Sequence, residues 1–109
     1  MTTTLYHQTS PGAARKIIAS QRFCPGAGGL AGGGIYFATS KNHTAHKAHQ
    51  TGATLQATVR LGRVKQIGKS GNRALRRPPA GYDSILVDRD NGQEYVVYDP
   101  SQVTDIEYC

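Results

Sequence analysis

Three histidines, His43, His46 and His49, recur at spacings of three, which on a helix sets them near one face as potential metal ligands. A metal site needs a fourth donor and carboxylates to orient the imidazoles, and no acid occurs before Asp83. The pattern is not His-Glu-x-x-His either, so no metal is expected. Gly26-x-Gly28-x-x-Ala31 matches a variant of the dinucleotide fingerprint. That turn requires a strand before it and a helix after it, whereas here a strand follows. No Gly-Lys-Ser/Thr closes a phosphate loop. Cys24 and Cys109 lack Cys-x-x-Cys spacing and form neither a zinc site nor a redox motif, which leaves them to pair or stay free. Arg60, Arg63, Lys65, Lys69, Arg73, Arg76 and Arg77 form a run of cations with no intervening acid. Such a run would bind phosphates with salt-dependent affinity. No aromatic residue lies between Phe37 and Tyr82, so a base-stacking platform is missing from that stretch.

The elements that must position these groups follow from periodicity and punctuation. Leu5 to His7 reads as a first strand. Ser10-Pro11 reads as an N-cap with proline at the first helical position. Ala14, Ile17 and Ile18 give the apolar stripe of a short helix ending near Gln21. Pro25 to Gly34 holds six glycines in ten residues and must be a loop. Ile35 to Ala38 reads as a strand, and Thr39 to His49 as a second short helix with Ser40 as its cap. Leu55, Ala57, Val59 and Leu61 alternate with polar residues, the pattern of a half-buried strand. The phase flips at Gly62, which marks a bulge or a break between strands. Residues 68–80 form a basic, proline-containing loop. Ser84 to Val87 reads as a strand, Asp90-Asn91-Gly92 as a hairpin turn and Glu94 to Tyr98 as the strand after it. Asp99-Pro100 ends that strand, and Val103 to Tyr108 is one more. The sum is an α+β domain rich in sheet.

A length of 109 residues with 38% hydrophobic and 18% charged residues fits one globular domain spanning 1–109. The net charge of +6 is unevenly spread: every carboxylate lies at or beyond Asp83, and every cation except Arg89 lies before it. Such asymmetry suggests an anionic partner, either nucleic acid or a phosphate-bearing small molecule. The longest aliphatic run is Ile85-Leu86-Val87, so neither a transmembrane span nor a signal-peptide core is expected. The expectation is a soluble, complete protein acting as a monomer away from membranes, in the cytoplasm or in a compartment the sequence leaves open.

Three segments carry a more specific pattern: Leu5-Tyr6-His7-Gln8-Thr9, Gly33-Gly34-Ile35-Tyr36-Phe37-Ala38 and Glu94-Tyr95-Val96-Val97-Tyr98-Asp99. In order and content they resemble the His–Tyr–Glu core of the diphtheria-toxin-like and poly(ADP-ribose) polymerase-like ADP-ribosyltransferases. In that family a YHGT-type strand end, a G-x-G-I-Y-F-A segment and an E-Y-x-V-Y-D strand recur. The resemblance covers nearly the whole chain and implies a split β-sandwich with short helices. It implies NAD as co-substrate, with ADP-ribose passing to a protein or nucleic-acid acceptor and nicotinamide released.

Cleaving the nicotinamide–ribose bond develops an oxocarbenium-like cation, which calls for a carboxylate, an aromatic face and a group to fix the second ribose. By the resemblance Glu94, His7 and Tyr36 are catalytic: Glu94 stabilises the cation and holds the ribose hydroxyl, Tyr36 stacks on nicotinamide, and His7 bonds the adenosine ribose. Gln8, Thr9, Arg22, Gly34 and Thr44 join them around the cofactor. Thr44 stands where the family places a serine that bonds the carboxamide, and Arg22 reaches toward the pyrophosphate or adenine. The chain departs from the pattern at Gln8, where relatives have glycine, and at Lys47, where the polymerases have a second stacking tyrosine with His46 beside it here. The short loops imply single-unit transfer or NAD hydrolysis rather than chain elongation. The alternatives are a non-catalytic NAD or ADP-ribose binding module and a basic nucleic-acid binder. The related RNA 2′-phosphotransferases use Arg and His in place of the carboxylate, and Glu94 argues against them.

Overall fold

The computed structural model describes residues 2–26, 31–44, 52–68, 71–89 and 92–109. In chain order it contains β1 (Thr2–Thr9), α1 (Pro11–Ser20), β2 (Ile35–Ala38), α2 (Lys41–Thr44), β3 (Ala53–Arg60), β4 (Val64–Ile67), β5 (Ser84–Arg89), β6 (Gly92–Val97), a short 3-10 turn (Pro100–Gln102) and β7 (Val103–Tyr108). The seven strands form one sheet in the order β4-β5-β6-β2-β1-β3-β7. All pairs are antiparallel except β4 with β5, so the sheet is mixed and the class is α+β.

Local chemistry sets the boundaries. The Ser10 hydroxyl accepts the Ala13 N–H and Pro11 opens α1, while Gln21 closes it in a left-handed conformation (φ 53). The Gln21 side chain then serves β7: its Oε1 accepts the Ile106 N–H, and its Nε2 donates to the Ile106 carbonyl. Gly62, at φ 61, breaks the chain between β3 and β4 where the hydrophobic phase flips. Asp99 caps the 3-10 turn through the Ser101 N–H, which ends β6. In β7 an extra residue bulges out, with Asp105 at φ 53. The hairpin turn expected at Asp90-Asn91 lies outside the described residues, and Arg89 pairs with Gly92 on either side of it. The expected second helix is seen as α2, and its continuation through His46 and His49 also falls outside the described residues.

Strand alternation divides the apolar residues between two clusters. Leu5, Ile35, Phe37, Leu55, Ala57, Val59 and Val97 pack with Phe23 and with Ala14 of α1. Ile85, Val87 and Val96 pack with Ala31, and Tyr36, Leu75 and Tyr98 close around them. The arrangement is sandwich-like. β1 and β3 pair along their full length, from Thr2 opposite Arg60 to Thr9 opposite Ala53. By contrast β1 and β2 meet at a single register pair, Tyr6 with Ala38. The sheet therefore nearly parts between β1 and β2. Cys24 and Cys109 are both exposed and free. No helix among the described residues is long and apolar enough to cross a membrane.

Candidate functional site

His7, Tyr36 and Glu94 stand on three neighbouring strands, β1, β2 and β6, at the place where β1 and β2 nearly part. His7 is tied to β2 directly, because its Nδ1 lies 2.7 Å from the Tyr36 carbonyl oxygen. A carbonyl only accepts, so Nδ1 carries the proton and Nε2 is left as an acceptor. The ring meets Phe23 and Phe37 edge-on, with centroids 5.0 and 5.9 Å away. Burial among these groups lowers the imidazole below its usual range, partly offset by the Tyr36 carbonyl, so the neutral form is favoured.

Tyr36 is half-buried and its hydroxyl is fully engaged: it accepts the Ala31 N–H at 2.9 Å and donates to the Gly32 carbonyl. Burial raises its pKa, the Ala31 N–H opposes this, Glu94 raises it further and Arg73 lowers it. A phenol so held is not a proton shuttle; what it offers is a ring of fixed orientation. Glu94 is only 3% exposed although it stands two residues after Gly92, where β6 begins. β6 is an inner strand, so Glu94 lies between Ala38 of β2 and Val87 of β5. Because Tyr36 faces Val96 and Ala38 faces Glu94, Tyr36 and Glu94 are diagonal neighbours on one side of the sheet. Their electrostatic coupling agrees with that placement.

The other expected residues divide. Gln8 and Thr44 meet: the Gln8 side-chain amide donates to the Thr44 hydroxyl at 2.9 Å, and that hydroxyl donates to the Lys41 carbonyl at 2.7 Å. Thr44 is buried, and a primary carboxamide, that of Gln8, is what it holds. Thr9 is buried at the end of β1 opposite Ala53. Arg22 is exposed just beyond α1. Its charge acts on Asp99, whose carboxyl is held below the usual range mainly by the Ser101 N–H, with Arg60 and Arg22 adding to it. Nothing among the described contacts ties Arg22 to the three-strand cluster. Gly34 is needed for packing: a Cβ there would stand 2.6 Å from Val96 Cγ1 and 3.1 Å from Tyr98 Cε1.

Two braces of Tyr36 were not singled out from the sequence. The Tyr98 hydroxyl donates to the Ala31 carbonyl, so one backbone residue joins both tyrosines. Desolvation, with Tyr36 nearby, pushes the Tyr98 phenol up to about 12. From the basic loop, the Leu75 carbonyl accepts the Gly33 N–H at 3.0 Å. Tyr98 lies within the third of the three segments quoted from the sequence, whereas Leu75 carries no signal there. No cluster of three or more metal-ligating side chains occurs among the described residues.

The class defined by fold and site is thus an α+β domain that carries an imidazole, a phenol ring and a buried carboxylate on adjacent strands. No family model matches the chain. It is similar to the protein mono-ADP-ribosyltransferase PARP3 of Homo sapiens, 32% identical over 111 residues that take in 94% of this chain and 20% of that protein. The Mus musculus PARP3 matches at the same 32% identity, over 94% of this chain and 19% of its own length. The chain therefore spans about a fifth of the length of the curated relatives it matches.

Proposed function

We propose that this chain is an NAD-dependent ADP-ribosyltransferase that moves a single ADP-ribose unit from NAD to a protein or nucleic-acid acceptor. The observation that carries the reading is the placement of His7, Tyr36 and Glu94 on the neighbouring strands β1, β2 and β6, with Tyr36 and Glu94 diagonal on one side of the sheet and the His7 ring, among Phe23 and Phe37, bonded to the Tyr36 carbonyl. The similarity to two mono-ADP-ribosyltransferases over 94% of the chain supports it. On this reading the split sandwich is the catalytic domain, and its chemistry follows from groups already described.

Glu94 faces the anomeric carbon of the nicotinamide ribose. As the bond from that carbon to the ring nitrogen breaks, its electron pair leaves with nicotinamide and the carboxylate stabilises the cation left behind. The acceptor supplies the lone pair for the new bond at the opposite side of the sugar, and its proton passes to solvent. Tyr36, its hydroxyl pinned by Ala31 and Gly32, presents a ring face to nicotinamide. His7, with Nδ1 committed to the Tyr36 carbonyl, offers Nε2 to a ribose hydroxyl. Thr44 holds the nicotinamide carboxamide in the place where it now holds that of Gln8.

The test is nicotinamide release from NAD labelled in its adenosine half. The wild type releases nicotinamide, and Glu94→Gln slows release at least about 100-fold, the scale on which losing one transition-state charge contact acts. Label on protein or on nucleic acid names the acceptor, and label only in free ADP-ribose makes water the acceptor. A wild-type chain that releases no nicotinamide removes the proposal, and NAD binding without release, seen by calorimetry, selects a non-catalytic binding module instead.

A further inference from the structure

The geometry points to a binding surface for single-stranded nucleic acid along the β4 edge of the sheet and the 71–82 loop, separate from the groups assigned to NAD cleavage. β4 is the terminal strand, and Arg63 just before it and Lys65 within it are exposed. Two residues apart in an extended chain, they repeat about every 6.6 Å. Arg73, Arg76 and Arg77 are exposed on the loop that returns past this edge. None of the five has an ion-pair partner among the described residues. The Asp83 carboxylate accepts the Arg63 backbone N–H at 2.8 Å.

Cations alone would suit any polyanion. The groove beside them narrows the choice. It has a volume of about 700 Å³, and Leu75, Arg76, Arg77, Pro78, Pro79 and Tyr82 are among the residues that line it. Tyr82 closes the loop and stands so that Arg63 and Lys65 sit over its ring, at 5.3 and 5.6 Å. The stretch of cations that lacks an aromatic in sequence therefore has one in space. A lining that mixes an aromatic ring and apolar groups with guanidinium groups fits a flat base between phosphates, which a run of acidic side chains does not supply. A duplex keeps its bases stacked inside and cannot fill such a groove, so the occupant is a single strand. The same loop reaches Tyr36, since Arg73 acts on that phenol and Leu75 holds Gly33. A strand on this surface thus lies beside the proposed active site.

Fluorescence anisotropy of the full chain with a labelled 12-nucleotide oligothymidine tests this. Five phosphate contacts to a single strand give a log–log salt slope near −3.5, so raising salt from 50 to 200 mM weakens binding on the order of 100-fold. The pair Arg76→Gln with Arg77→Gln, and separately Arg63→Gln with Lys65→Gln, each flatten the slope by about 1.4. Arg15→Gln with Lys16→Gln, exposed on α1 at the other end of the sheet, changes affinity less than twofold. Glu94→Gln leaves binding intact, so loss of catalysis and loss of this surface are read separately. The inference is overturned if the oligonucleotide does not bind at 50 mM salt. It is equally overturned if polyglutamate of matched charge binds as tightly, if a duplex binds more tightly than the single strand, or if saturating NAD displaces the strand.

Discussion

Replacing Gly34 by alanine probes the join between β2 and β6 on which the relation of Tyr36 to Glu94 depends. An added Cβ would stand 2.6 Å from Val96 Cγ1, with Tyr98 Cε1 and the Val97 carbonyl both at 3.1 Å. Carbon atoms rest at about 3.5–4.0 Å, so the strands must move apart by nearly 1 Å or Val96 must leave its rotamer. Sideways relief is blocked by the other two atoms, and Val96 and Val97 are fully buried. Overpacking of this kind costs about 1–3 kcal/mol, and the confined geometry argues for the upper half of that range. For a domain near 100 residues that lowers Tm by roughly 10–20 °C. Gly68→Ala is the matched control: no atom lies within 4 Å of its Cβ, and its φ is not positive. It should leave Tm unchanged or raise it slightly. Val96→Ala in the Gly34→Ala background removes the obstructing methyl, so the double variant should be less destabilised than the two singles added together. Thermal unfolding by circular dichroism gives all four values. A Gly34→Ala shift below about 3 °C on the same scale, or strict additivity in the double variant, refutes the close-approach argument.

Further outcomes follow from other contacts. Gln8→Ala frees the Thr44 hydroxyl from the side-chain amide it now binds. On the proposed activity, KM for NAD falls by about 2–10-fold with kcat unchanged, the worth of one hydrogen bond no longer competing; initial rates check it, and a tenfold rise in KM contradicts it. His7 has a folded pKa below the usual 6.5, so the unfolded chain takes up its proton first as pH falls. Stability is then lost as pH drops below about 6.5, until the folded imidazole also titrates. His7→Asn keeps a donor for the Tyr36 carbonyl and flattens this slope, as urea unfolding between pH 7 and 5 would record. Tyr98→Phe strips the buried Ala31 carbonyl of its donor, at a cost of about 1–3 kcal/mol in urea unfolding. The same variant removes a phenol that titrates near 12, which ultraviolet titration of the tyrosines detects.

Most elements were legible because each carries its own punctuation. Ser10-Pro11 announces α1, the apolar run Ile35 to Ala38 is β2 as it stands, and the phase flip at Gly62 separates β3 from β4. The third segment, from Glu94, is a strand as expected, but its environment was not readable. A glutamate beside a turn is ordinarily solvated, and only the pairing of β6 with both β2 and β5 buries it. Contacts across long separations were equally hidden: Gln8 with Thr44, Tyr98 with Ala31, Leu75 with Gly33. None of these has a local periodicity to betray it. The direction of β4 belongs to the same group, since a loop of that length joins parallel or antiparallel strands with equal ease.

That direction has a lasting effect on what the fold can become. Strands running the same way cannot be joined by a tight reversal, so the chain leaving Ile67 must travel back the length of the pair before it enters Ser84. The excursion is compulsory, yet its wording is nearly free. Its hold on the glycine turn runs from one main chain to another, Gly33 N–H to Leu75 carbonyl, which almost any residue at position 75 could supply. Selection can therefore respell the outward side chains of this detour, and with them the choice of molecule recognised, while the strands beneath keep their places.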